Sequence, residues 1–149
     1  MRRDHFLVFD EIISGSGGPA QVYTAATFNQ RLAAHNQIGL QVVIDNVAGT
    51  PAFDLWVEHS PDGRIWLQLN DTNQTFPPPA SAGSGDISFT SGTLAANTTY
   101  TRMYSNATLG TTKVGASGNC GPLLSNVRLS MKLSTGEAHV KVYAVLRNP

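Results

Sequence analysis

Cysteine, charge and long apolar runs are all scarce in this 149-residue chain, and each scarcity removes a class of protein. With Cys120 as the only cysteine, no intrachain disulfide can form, so the fold must stand on packing and hydrogen bonds. Cys120 sits in the turn-like Gly118-Asn119-Cys120-Gly121-Pro122 without a cationic neighbour, which reads as a passive thiol. Charged residues make up 13% of the chain, ten basic against ten acidic. That balance leaves no electrostatic footprint for nucleic acid or an anionic membrane. No apolar run approaches the ~20 residues of a membrane-spanning helix. Asp4, Asp10 and Glu11 interrupt the apolar stretch that follows Arg2 and Arg3, so it does not read as a secretory leader. Synthesis in a cytoplasm is the expectation.

Signs of catalysis are equally sparse. His5, His35, His59 and His139 are far apart, without the close spacing of a helix-borne metal motif, and the acidic residues show no calcium-loop spacing. Gly15-Ser16-Gly17-Gly18 lacks the lysine and following helix of a phosphate loop, and no Gly-x-Ser-x-Gly elbow occurs. Asp54 and Glu58 share one face of a strand, but four residues along a strand span about 13 Å, beyond the carboxylate separations of either glycosidase mechanism. The expectation is a protein that is not an enzyme and uses no metal or cofactor.

What the chain does have is alternation. The stretch FDLWVEHSPDGRIWLQLN, Phe53 to Asn70, carries two alternating runs around Ser60-Pro61-Asp62-Gly63-Arg64, which reads as a three-residue hairpin loop. Ser60 opposite Arg64 then sets His59 against Ile65, Val57 against Leu67 and Leu55 against Leu69. One face becomes apolar: Phe53, Leu55, Val57, Ile65, Leu67 and Leu69. The other holds Asp54, Trp56, Glu58, Arg64, Trp66 and Gln68, so both tryptophans of the chain are expected on the side away from the core.

Along the rest of the chain, His5 to Ser14 is a short strand ended by the glycine-rich Ser14 to Pro19. We therefore divide the chain into residues 1–18, a strand or arm with a hinge, and 19–149, one sandwich domain. The first segment is either an edge strand or an arm reaching a neighbour, with Phe6 and Phe9 as its contact residues. Further strands are expected at Gln21 to Phe28, Ile38 to Val47, Asp86 to Thr90 and Thr98 to Ser105. Ile38 to Val47 and the hairpin would form a meander or part of a Greek key. Asp71 to Gly85, with Pro77-Pro78-Pro79, is a long loop, and Asn106 to Pro122 is loop-rich. A second hairpin is expected from Val127 to Leu146, turning at Ser134-Thr135-Gly136-Glu137. Roughly eight strands without an amphipathic helix predict an all-β fold: a two-sheet antiparallel β-sandwich of jelly-roll or related Greek-key topology.

Three uses compete for Trp56 and Trp66: a platform for a sugar ring, a patch buried by another subunit, or a surface covered by this chain's own loops. The stretch LQVVIDNVAGTPAFDLWVEHSPDGRIWL, Leu40 to Leu67, resembles a segment of small structural proteins of tailed bacteriophages, in which a strand, a Gly-Thr turn and a "VEHSPDG..W" hairpin recur. In size and texture the chain is similar to head decoration (cement) proteins, which bind as trimers on the capsid and reinforce it. The resemblance covers about a fifth of the chain. It implies a virion protein on the capsid surface, with the major capsid protein as partner, a homotrimeric assembly, and Trp56, Trp66, Phe6 and Phe9 as interface residues. Carbohydrate-binding sandwiches carry a related hairpin, which leaves a glycan-binding module as the alternative.

Overall fold

Period-two alternation produces nine strands in the computed structural model, which describes residues 3–15, 21–23, 37–60, 62–68, 87–89, 94–95, 99–106 and 126–147. These are β1 (Arg3–Ser14), β2 (Gln21–Tyr23), β3 (Gln37–Ala48), β4 (Phe53–Ser60), β5 (Leu67–Gln68), β6 (Ile87–Phe89), β7 (Tyr100–Asn106), β8 (Asn126–Leu133) and β9 (Glu137–Arg147). No helix occurs among the described residues. The expected strand at Gln21 to Phe28 is seen as Gln21–Tyr23, and its remainder lies outside the described residues, as do the Pro-rich loop and Cys120.

The strand pairs are nested. β1 pairs with β9, β2 with β8, β3 with β7, and β4 with β5 and β6, all antiparallel, as though the chain were one long hairpin folded back at β4. Two further pairings, β3 with β9 and β4 with β8, roll that hairpin up. The result is two sheets, β1-β9-β3-β7 and β2-β8-β4-β5 with β6 also on β4, the order of a jelly-roll sandwich. The inward residues form a single apolar core, drawing Leu40, Val42 and Ile44 from β3, Phe53, Leu55 and Val57 from β4, Leu129 and Met131 from β8, and Val140 and Val142 from β9.

Three expectations are corrected here. β8 and β9 are not a hairpin: they belong to different sheets, so Ser134-Thr135-Gly136 carries the chain across the sandwich. β3 and β4 likewise lie in different sheets, which excludes the meander and leaves the Greek-key alternative, the topology from which a jelly roll is built. The two crossings are tied together where Ala52 N donates to Ser134 Oγ at 2.8 Å and Ser134 N donates to Ala52 O at 2.9 Å. Gly136 stands at φ +69°, and a side chain there would run into Ala48 O at 2.1 Å, so glycine is required twice over. The end of β1 joins the same corner, Gly15 N donating to Gly136 O at 2.8 Å.

The third correction concerns the turn after β4. His59 pairs with Leu67 and Glu58 with Gln68, so the register is displaced by two residues from the expected one. A displacement by an even number leaves every strand residue on its expected face. It does remove Ile65 from the core side: Ile65 is in the loop and 55% exposed.

β1 is the edge strand of the four-stranded sheet, in register with β9 from Arg3 opposite Arg147 to Ser14 opposite Glu137, with one bulge between Leu7 and Phe9. Phe9 and Ile13 are in the core, and Phe6 packs against it. Removing β1 would therefore uncover core, so the segment is not an arm whose loss leaves the body intact.

Candidate functional site

β4 has a neighbour along each edge, β8 on one side and β5 and β6 on the other, so its side chains meet close company on both faces. Asp54, Trp56 and Glu58 point away from the core and stand opposite Lys132, Ser130 and Arg128 of β8. A tryptophan thus lies between two positions where an acid faces a base. The expected exposure of this face is corrected by burial: Asp54 and Glu58 are 2% exposed, Ser130 4%, Trp56 1% and Trp66 8%. The faces are as alternation assigned them, but this one is covered.

The covered face is knitted together. Arg128 Nε pairs with Glu58 Oε2, and the Arg128 guanidinium lies over the Trp66 ring at 4.2 Å. This joins a charge-assisted hydrogen bond to a cation–π contact. Asp54 Oδ1 accepts from Ser88 Oγ of β6 at 2.5 Å. Trp56 Nε1 finds no hydrogen-bond partner among the described residues, an uncompensated donor at the centre of the layer.

The adjoining loop is shaped by side chains. Ser60 Oγ accepts from Gly63 N at 2.8 Å and from Asp62 N at 3.3 Å, and donates to Asp62 Oδ1 at 3.1 Å. Asp62 Oδ1 also accepts from Arg64 N at 2.8 Å and Ile65 N at 3.1 Å. Those backbone donors, Arg64 first, hold the Asp62 carboxyl below its ordinary range. Gly63 takes φ +75°, as the turn requires, and its carbonyl accepts from Trp66 Nε1 at 3.1 Å. Trp66 is therefore pinned between the loop and Arg128, while residues 62–65 are exposed.

On the core side of the same strand His59 is 2% exposed, with Nδ1 unpartnered, and burial pushes its pKa below the ordinary value. The opposite sheet holds a different polar cluster on its outer face. His139 Nε2 lies 2.5 Å from Asp10 Oδ1 of β1, and its Nδ1 lies 2.8 Å from Asp45 Oδ1 of β3, where only the contact to Asp10 has the alignment of a hydrogen bond. His139 thereby links three adjacent strands. Elsewhere on this sheet the rings of His5 and Tyr143 lie tilted against one another, with their centroids 5.6 Å apart.

The structure thus brings Trp56 and Trp66 to one sheet and sets Phe6 and Phe9 in the other, where they serve the core. Sequence reasoning missed Arg128, Ser88 and the Asp10–His139–Asp45 row. Alternation marks Arg128 and His139 as outward-facing, but the partners come from strands 70 and 129 residues away. Among the described residues no group of three or more His, Cys, Asp or Glu side chains is arranged to hold a metal ion. Set against family models and against curated proteins, the chain matches none.

Proposed function

We propose that this protein is a non-enzymatic structural component of a tailed-phage virion, a capsid decoration or cement protein that binds the outer surface of the head and stabilises the shell. Its partner is the major capsid protein, and it acts as a homotrimer on the capsid surface. The observation that carries the reading is the β4–loop element, in which the "VEHSPDG..W" stretch that resembles phage structural proteins becomes a turn held by Ser60 and Asp62 and backed by Trp66. A jelly-roll body with near-zero net charge suits attachment by shape and apolar contact at subunit seams. Such attachment adds interface area across seams and so raises the energy needed to part the shell subunits.

The glycan-binding alternative drew its support from exposed rings at Trp56 and Trp66, and both rings are covered. The test is to add the purified protein to bare shells of the capsid protein encoded alongside it and pellet the shells. Saturable co-sedimentation and a raised shell melting temperature are expected; protein left in the supernatant at saturating concentration overturns the proposal.

A further inference from the structure

We propose that Asp62-Gly63 is a latent site of backbone isomerisation, and that the hydroxyl of Ser60 holds it in check. The pair is the single Asp-Gly of the sequence, which contains no Asn-Gly. In an Asp-Gly unit the glycine N can attack the aspartate Cγ, because glycine has no side chain to obstruct the approach. The N–Cγ bond forms as the C–OH bond of the protonated carboxyl breaks, and the amide proton leaves with that hydroxyl as water. Water then opens the imide ring. Addition at Cγ returns aspartate, whereas addition at the main-chain carbonyl breaks its bond to nitrogen and leaves isoaspartate, with the chain running through Cβ. Only water is released and taken up.

Steric shielding does not protect this site. Residues 62–65 are exposed, and a Cβ placed on Gly63 would meet no atom of a non-adjacent residue within 4 Å. Hydrogen bonding does protect it. Gly63 N, the nucleophile, donates to Ser60 Oγ at 2.8 Å, so attack on Cγ first requires that bond to break. On the electrophile, Asp62 Oδ1 accepts from Arg64 N at 2.8 Å, Ile65 N at 3.1 Å and Ser60 Oγ at 3.1 Å. These donors favour the ionised carboxyl, which has no hydroxyl to lose. Reaction is therefore confined to molecules in which the turn has opened, and its rate follows the population of that open form. Isomerisation adds one atom to the backbone ahead of Gly63, whose carbonyl accepts from Trp66 Nε1 at 3.1 Å, so it also displaces the anchor of that ring. The inference is independent of the capsid proposal, since it needs no shell.

The test is to incubate the full chain at neutral pH, below its melting temperature, and to map peptides by a separation that distinguishes aspartate from isoaspartate at position 62. The folded wild type should isomerise at least about fivefold more slowly than the same chain in urea, the weight of one hydrogen bond. Ser60→Ala, with its fold checked by circular dichroism, should raise the folded rate by a similar factor and leave the rate in urea unchanged. Ser60→Cys keeps most of the volume and weakens the acceptor, so its folded rate should fall between those of wild type and Ser60→Ala. A folded wild type that reacts as fast as the chain in urea, or folded Ser60 variants that react no faster than wild type, would overturn the inference.

Discussion

The sandwich has two outer faces, and they are finished in opposite ways. Over the sheet centred on β4, Asp54, Trp56, Glu58 and Ser130 are almost fully withdrawn from water. Over the sheet containing β1, β9 and β3, the His139 side chain keeps 24% of its surface exposed, Asp10 keeps 42%, and Leu7 and Ile12 are both exposed. Both faces come from strands with the same alternation of apolar and polar residues. The polar face of a strand is therefore not equivalent to a wet face. On the closed face a charge must be matched by a named partner, as Glu58 is by Arg128, because desolvation makes an unmatched one costly. On the open face water does most of that work, and pairing adds little.

That contrast sets the order of the expected effects. Trp56→Ala should be the most damaging single change discussed here, about 3–5 kcal/mol by chemical denaturation, because it empties a fully buried ring site. Trp56→Phe keeps much of the volume and removes the unpartnered N–H, so it should cost far less; equal losses for the two would mean that the site collapses or that the indole N–H is satisfied. Arg128→Met comes next, about 3 kcal/mol, since it strands Glu58 at 2% exposure. The value belongs at the low end for a broken buried pair, because Arg128 keeps 21% of its side chain in solvent. Adding Glu58→Gln to Arg128→Met should recover part of the loss, and a purely additive double variant would contradict the coupling.

His59, buried on the core side, supplies a pH-dependent test. Its folded pKa lies below the ordinary 6.5, so the unfolded chain takes up a proton first as the pH falls. Stability should be unaffected by this group well above pH 6.5 and decline as the pH drops below it, with His59→Gln flattening that part of the melting-temperature profile. Asp62 is depressed as well and works in a separate window. Its stabilisation is present above its ordinary value of 3.8 and is lost only as the pH falls below that. The smallest effect is expected on the open face: His139→Ala should cost less than about 1 kcal/mol, since Asp10 and Asp45 both retain access to water. A loss as large as that of Arg128→Met would erase the distinction between the faces.

Much of the fold was legible because β-strand alternation is local. Val140, Val142, Ala144 and Leu146 declared the inward face of β9, and Leu40, Val42 and Ile44 that of β3, and all seven are in the core. The turn at Ser60 to Arg64 was recognisable from Pro61, Asp62 and Gly63, yet its length was misjudged by two residues. Asp62 accepts from both Arg64 and Ile65, and that second hydrogen bond holds Ile65 in the loop. The crossing at Ser134 to Gly136 was mistaken for a hairpin because a short turn with glycine serves either purpose. What decides is whether the next strand finds its partner beside β8 or across the core.

The sequence by itself determined which residues share a face, since a period of two survives any register shift by an even number. It also determined that disulfides could not hold the fold together. Only the tertiary structure decided which sheet each strand joins, that β4 is covered on both sides, and that Trp56 and Trp66 lie beneath a surface instead of forming one. Those outcomes depend on contacts such as Glu58 with Arg128 and Asp10 with His139, between residues far apart in the chain. Alternation states which way a side chain points; it carries no information about what another part of the chain will place over it.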